Sequence, residues 1–137
     1  MIEKIIHEGK IIAIILYKNY HYEGISFLTE KEDPLQLGYM SHSKGHEIKP
    51  HIHKKLKRNT VGTHEALFIK SGRIKVDFYS YDRAYLKSKT LSGGDVVLLG
   101  ECGHGFTILE DASIVEVKNG PYLECKERFV PKKDKIL

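Results

Sequence analysis

The sequence contains no tryptophan, only two cysteines and no long hydrophobic run. Cys102 and Cys125 belong to no C-x-x-C pair, which excludes a disulfide framework, a zinc ribbon and a thioredoxin-type motif. The longest apolar run, Ile11 to Tyr17, has seven residues, whereas a membrane span needs about eighteen. The first residues include two acidic side chains and no small-residue cleavage site, so they do not resemble a signal peptide. We therefore expect a cytoplasmic protein with reduced cysteines and no membrane partner.

Proline is also scarce, with 4 occurrences in 137 residues, and the 12 glycines are far fewer than the one third that a collagen-like chain requires. This composition excludes a collagen-like or low-complexity chain. Hydrophobic residues make up 41% and charged residues 29% of the chain, a balance that supports a buried core and excludes a disordered tail. The length suits one domain, and no repeat or linker divides it. We assign residues 1–137 to a single domain.

The net charge of +4 has local sources, because basic residues cluster in the middle of the chain and near its end. Such clusters attract phosphate groups or are simply solvated surface. The candidate phosphate-binding residues are Lys54, Lys55, Lys57 and Arg58, and the second cluster is Lys132-Lys133. The chain has no recognition-helix pattern and no stripe of alternating basic and aromatic residues, so we expect no nucleic-acid partner.

Hydrophobic residues alternate with a period of two through most of the middle of the chain, and no long stretch has helical spacing, which predicts an all-β domain of antiparallel strands. Turn signals at Ser71-Gly72, Ser92-Gly93-Gly94 and Glu110-Asp111 separate short strands, as in a sandwich or barrel. We interpret residues 54–63 as a loop and residues 119–137 as a charged arm. The predicted strands are Ile11 to Tyr17, Gly24 to Leu28, Leu35 to Ser43, Glu47 to His53, His64 to Lys70, Arg73 to Tyr81, Asp95 to Leu99, Gly105 to Leu109 and Ser113 to Lys118.

Histidines carry the most specific chemical signal in the sequence. On a strand, His51 and His53 are two positions apart and project from the same face, so both imidazoles can reach one point above the sheet. Two imidazoles and a carboxylate, completed by a further histidine, form a common metal-ligand set. Cys102 stands just before His104, where a thiolate is a further, less favoured ligand for a soft metal.

Two motifs resemble those of the cupin superfamily. Gly45, His51 and His53 match the opening of its first motif, and Glu65 and Gly72 match its close. Its second motif is similar to Gly94-Asp95-Val96-Val97-Leu98-Leu99 followed by His104-Gly105-Phe106. The resemblance covers about residues 38 to 118. It implies a cupin jelly-roll β-barrel built from two antiparallel sheets, with one divalent transition metal (Zn, Fe, Mn or Ni) held in its lumen by His51, His53, Glu65 and His104.

The sequence departs from the family pattern between and within these motifs. Eleven residues separate His53 from Glu65, more than the family usually has. Either residues 54–63 are an insertion, which a surface loop tolerates at little cost, or Glu65 is not a ligand; we favour the insertion. In the second motif Gly100 replaces the usual proline, so the turn before His104 is unusual. Some family members hold no metal and use a lumen histidine as a general base.

The resemblance also points to a function in carbohydrate metabolism, because this chain looks like small single-domain cupins encoded with surface-polysaccharide and sugar-nucleotide genes. We expect a metal-assisted isomerase or epimerase acting on a sugar or sugar nucleotide. A general base such as His104, or Glu65 when it is not a ligand, moves a proton, and Tyr39 is a candidate proton donor. The alternatives are an iron-dependent dioxygenase with the same ligands and a non-catalytic ligand-binding or sensory module.

Small barrels with open edge strands tend to pair with a second copy. We therefore expect a homodimer. The segments that the sequence makes most available for this contact are Ile11 to Tyr17 and the region of Arg128-Phe129.

Overall fold

The computed structural model describes residues 1–132, and these residues form eight β-strands and no helix. The strands are β1 (Ile2–His7), β2 (Lys10–Leu16), β3 (Gly24–Phe27), β4 (Gly38–Ser41), β5 (Glu65–Tyr79), β6 (Tyr85–Ser92), β7 (Val96–Leu99) and β8 (Gly103–Lys118). All pairings between them are antiparallel. The all-β class is thus confirmed, whereas the cupin jelly roll stays a prediction. No helix in the described part of the chain is long and apolar enough to cross a membrane.

Six strands form one curled sheet, a half-barrel, and β3 and β4 form a separate hairpin. The order in the large sheet is β1-β2-β7-β5-β6, and β8 pairs with β5. The sequence predicts two strands separated at Gly72 and two more separated at Glu110-Asp111. In both places the structure has one long strand instead, because β5 and β8 stay paired from Glu65 and Lys118 to Tyr79 and Gly103.

The long β5–β8 ribbon is irregular in its middle, where the register shifts at several positions between Ile69 and Ile74. Gly72 lies at this point with φ of +84°. A Cβ on Gly72 would stand 2.7 Å from Cα of Ala112 and closer still to the backbone oxygen of Asp111. Only glycine fits such a close approach of two backbones.

The core lies inside the curl of the sheet, and both halves of β5 contribute to it. It contains Ile5, Ile12, Ala13, Ile15, Leu67, Ile69, Ile74, Val76, Phe78, Leu91, Val97 and Leu99. A smaller cluster on the opposite face joins Ile14, Leu37, Ala66 and Leu98. Because apolar residues cover both faces of β2, the run from Ile12 to Leu16 is buried without alternation.

The predicted strand from Glu47 to His53 is wrong, since no strand lies between Ser41 and Glu65. Every side chain from residue 42 to residue 63 is exposed. Pro50, in the middle of the predicted strand, has no amide hydrogen to donate to a neighbouring strand. We refer to residues 42–63 as the histidine segment. Its sequence alternates in part, but no neighbouring strand pairs with it.

The predicted charged arm has no strand over residues 119–132, although it packs against the sheet. The Phe129 ring lies edge-on to Tyr79, with ring centroids 5.3 Å apart, and beneath the guanidinium of Arg83. Near its end the arm makes one parallel bridge between Lys132 and Ala84. The rest of the predicted arm, including Lys133, lies outside the described residues.

Candidate functional site

The bend in the β5–β8 ribbon brings Glu65 and His104 together from distant parts of the sheet. Glu65 begins β5, and His104 pairs with Phe78 near the other end of that strand. Gly72 lies seven residues after Glu65 and six before Phe78, so the two arms of the bend are nearly equal in length. The two side chains meet between the ends of these arms, with Nε2 of His104 2.5 Å from Oε1 of Glu65.

Both side chains are largely buried, with 15% of Glu65 and 26% of His104 exposed. The hydrogen bond from His104 lowers the pKa of Glu65 to about 2, although burial acts in the opposite direction. Glu65 is therefore ionised throughout the neutral pH range. A buried, ionised carboxylate next to an imidazole is typical of sites that perform acid–base chemistry, although structural ion pairs share this feature.

The ion pair also determines which nitrogen of His104 remains available. Since Nε2 donates its hydrogen to the Glu65 carboxylate, the neutral ring has its lone pair on Nδ1. Nδ1 is buried and has no hydrogen-bond partner among the described residues. Buried polar atoms without a partner are uncommon in folded proteins and call for an explanation. An unpaired acceptor nitrogen beside a held carboxylate meets one requirement of a general base. Because this nitrogen is buried, a substrate reaches it only when neighbouring side chains move aside.

A second carboxyl group, that of Glu116, adjoins the pair. On β8, Lys118 lies opposite Glu65 and Glu116 lies opposite Leu67, so these side chains share one face of the sheet. A hydrogen bond between the two carboxyl groups raises the pKa of Glu116 and helps to lower that of Glu65. Sequence analysis missed Glu116, because its proximity to Glu65 follows from the register of β5 and β8 and no motif marks it.

Cys102 also lies near Glu65 but does not act as a thiolate. Its thiol packs against the core and donates to the backbone oxygen of Ile12 at 3.5 Å. Burial, reinforced by the negative charge of Glu65, raises the pKa of Cys102 to about 12. The thiol is therefore protonated at neutral pH, and this placement disfavours the soft-metal alternative.

His51 and His53 are not on a strand and lie in the exposed histidine segment. Their ring centroids are 5.3 Å apart, and Nδ1 of His51 donates to the backbone oxygen of Lys49 at 2.8 Å. Among residues 1–132, no three His, Cys, Asp or Glu side chains converge on a point where a metal ion could bind. Of the four ligands implied by the resemblance, Glu65 contacts His104 and His51 lies beside His53, but the structure does not bring the two pairs to one point.

Two donors do not fit a resident transition metal, because protein metal sites generally take three or four side-chain ligands. The histidine pair that would complete the set was expected to converge through the geometry of a strand that is not formed. The metal and its four ligands therefore stay predictions, and no chemical step is derived from them.

Tyr39 lies on β4 and is not brought to the Glu65–His104 pair. Its ring meets that of Tyr20 edge to face at 4.9 Å, and its hydroxyl lies 3.4 Å from Nδ1 of His21. Tyr39 lines a cavity of about 280 Å³ together with Phe68 and other residues, none of which belongs to the pair. Phe68 alternates with Leu67, so this cavity lies on the face of the sheet opposite the core.

The candidate phosphate-binding residues are exposed members of the histidine segment. They are Lys54, Lys55, Lys57 and Arg58. None of the four forms an ion pair with a residue in the described range 1–132. Their charges are therefore available to an anionic ligand, but the structure does not organise them into a binding site.

Comparison of the chain with protein-family models, with curated proteins and with solved structures found no match. The functional argument therefore depends on the chemistry of the site itself, and the Glu65–His104 pair with its unpaired Nδ1 is the part of the molecule that carries it.

Proposed function

We propose that this chain is a small enzyme of the cupin type that isomerises or epimerises a sugar or sugar nucleotide by proton transfer at His104. The observation that carries the proposal is the contact between an ionised Glu65 and His104, whose second nitrogen has no partner among the described residues. Interconversion of sugar isomers or epimers next to a carbonyl requires a base that removes a proton from carbon and returns it. A carboxylate-held imidazole suits that task.

In the proposed reaction, Nδ1 of His104 takes a proton from the carbon adjacent to the sugar carbonyl. The electron pair of the broken C–H bond moves onto the carbonyl oxygen and forms an enediolate. The positive charge that develops on the ring is stabilised by Glu65, which holds Nε2 throughout. For isomerisation, the ring returns its proton to the neighbouring carbon, and the hydroxyl proton of the enediolate moves from one oxygen to the other. For epimerisation, water protonates the opposite face of the original carbon, and the ring releases its proton to solvent. No redox partner is consumed.

The surroundings of His104 support a carbohydrate substrate. The Phe106 ring lies beside the imidazole, with centroids 5.4 Å apart, and Phe106 is 41% exposed. An exposed aromatic ring next to polar groups offers the apolar face of a sugar ring a surface on which to pack. For a sugar nucleotide, the basic residues of the histidine segment provide positive charge for the diphosphate.

A second candidate function is ligand binding without turnover. The same ion pair connects the two ends of the bent ribbon, and this favours a structural role for it. In such a module the pair would hold the curl of the sheet together, and a ligand on the concave face would be bound unchanged.

The test is hydrogen exchange into a panel of keto sugars and nucleotide keto sugars in D₂O, followed by proton NMR. We expect deuterium to enter at the carbon next to the carbonyl of at least one compound. His104→Ala and Glu65→Gln are expected to slow this exchange by about 10²-fold or more. The matched control is His7→Ala, which removes a histidine that contacts Glu8 at 3.8 Å at the end of β1.

The same samples are analysed for metal, since about one transition metal per chain, lost on replacing His51 and His53 with Ala, is the result that the cupin resemblance implies. Exchange that persists in His104→Ala would contradict the proposed base. Ligand-induced thermal stabilisation without any exchange would identify a binding module instead.

A further inference from the structure

The large sheet has three edge strands, and β8 is the longest of them. β1 pairs only with β2, β6 pairs only with β5, and β8 pairs only with β5 among the described residues. The outer edge of β8 thus presents its backbone groups over 16 residues without a strand partner in the described part of the chain. An open edge of this length is a template for pairing with another strand.

The three edges differ in how they are protected. β6 carries Lys87 and Lys89, and β1 carries Glu3 and Lys4 within six residues. Such charges discourage edge-to-edge pairing, and an ion pair of 2.6 Å between Lys89 and Glu3 joins the β6 and β1 edges to each other. The four charged residues of β8 lie in its second part, whereas its first seven residues contain no Asp, Glu, Lys, Arg or Pro. Large apolar side chains on β8 are between 41% and 56% exposed, namely Phe106, Ile108, Leu109, Val115 and Val117.

We propose that a second copy of this chain pairs with the outer edge of β8 and that β8 is the homodimer interface. The sequence of β8 is self-complementary in an antiparallel register centred on Glu110, which lies in the segment where β8 is bulged against β5. This register places Phe106 opposite Ile114 and Thr107 opposite Ser113, and apolar or hydroxyl pairs of this kind stabilise neighbouring strands. The two central Glu110 side chains are partly neutralised, because each has Arg73 within 3.3 Å.

The other candidate occupant is the histidine segment of the same chain. Its predicted strand, Glu47 to His53, spans only seven residues and contains Pro50, so it would cover less than half of the edge. A second β8 covers the edge along most of its length. Pairing about a two-fold axis uses the same edge of β8 in both copies. The dimer therefore has no open β8 edge left.

The proposed interface differs from the two segments that the sequence suggested for dimer contact, Ile11 to Tyr17 and the region of Arg128-Phe129. β2 lies between β1 and β7, and the part from Ala13 to Leu16 is paired on both sides. Phe129 packs against its own chain at Tyr79.

The test is the molar mass in solution by size-exclusion chromatography with light scattering. We expect about twice the chain mass of 15.7 kDa. Ile108→Glu adds one acidic group per chain close to the central Glu110 pair and is expected to raise the dissociation constant at least tenfold. The matched control is Ile6→Glu on β1, since Ile6 is 60% exposed and Ile108 is 56% exposed. The control is expected to remain a dimer.

A wild-type monomer, an Ile108→Glu dimer of unchanged affinity or dissociation of the Ile6→Glu variant would each overturn the proposal. Amide hydrogen exchange of the wild-type chain provides a measurement that does not depend on a variant folding. The outward-facing amides of residues 104–116 are expected to be protected at high protein concentration and to lose that protection on dilution. Protection that does not change with concentration would show that the chain covers this edge itself, and would also overturn the proposal.

Discussion

The half-barrel and the histidine segment carry similar chemical groups, but only the half-barrel arranges them. Glu65 and His104 are 39 positions apart in the sequence and touch, because both lie on paired strands that bend together. His51 and His53 are two positions apart, but their segment has no strand neighbour that would fix their direction. Backbone pairing, rather than closeness in sequence, therefore determines which side chains form a site in this molecule.

The largest effect is expected at the bend that unites the two arms of the half-barrel. Gly72→Ala places a Cβ within 2.7 Å of the backbone of Ala112 and forces a positive φ on alanine. We expect a loss of at least about 3 kcal/mol in the free energy of unfolding. Gly9→Ala is the matched control, because Gly9 has φ of +77° but a Cβ there would meet no atom within 4 Å. It should cost only about 1–2 kcal/mol. Equal losses in chemical denaturation would contradict this account of the bend.

The next effect concerns the pH dependence of stability. The pKa of Glu65 lies below its ordinary value of 4.5, at about 2. A lowered carboxyl pKa contributes stability that is complete above the unfolded value and is lost as the pH falls from about 4.5 towards 2. Glu65→Gln should therefore lower the free energy of unfolding at pH 7 by on the order of 2 kcal/mol, and this difference should shrink in acid.

Glu116→Gln separates the role of the ion pair from that of the two neighbouring carboxyl groups. The pKa of Glu116 is raised, so its ionisation disfavours the folded state and its replacement should not destabilise the protein at pH 7. Denaturant titrations between pH 2 and pH 7 measure both variants. If the free energy of unfolding depended on pH in the same way in Glu65→Gln and Glu116→Gln, the contact between Glu65 and His104 would not be a specific source of stability.

The smallest effect on stability is expected in the histidine segment. Replacing its four basic candidates, Lys54, Lys55, Lys57 and Arg58, with serine should change the free energy of unfolding by no more than about 0.5 kcal/mol. The same change should weaken binding of a nucleoside diphosphate, more at low salt than at high salt, because exposed charges are screened. Calorimetric titrations at two ionic strengths measure this. An unchanged affinity would leave these residues as solvated surface.

Local sequence patterns predicted the all-β fold class and the two site residues that belong to recognisable motifs. Alternation found the buried face of β5 and the strands that make up β8, a short apolar run found β7, and motif spacing found Glu65 and His104. Alternation did not reveal β1 or β6, which are edge strands with few buried residues. The same signal predicted a strand at Glu47 to His53, since a sequence pattern does not show whether a neighbouring strand exists.

The remaining features depend on pairing across long distances in the chain. Continuity of β5 past Gly72 arises from its contact with β8, and a glycine at that position equally suits a tight hairpin. Glu116 joins the site through the same register. Tyr39 lies on the opposite face because β4 pairs with β3 and not with the strands that carry the site.

The central claim is that the paired strands hold the Glu65 carboxylate against Nε2 of His104. Long-range ¹H–¹⁵N correlation NMR of the histidine rings, at a pH where they are neutral, tests this claim most directly. We expect the His104 ring to carry its hydrogen on Nε2 and Glu65→Gln to alter this preference, while the signals of the exposed His53 ring do not change. A His104 ring with the same mixture of tautomers as His53, unaffected by Glu65→Gln, would contradict it.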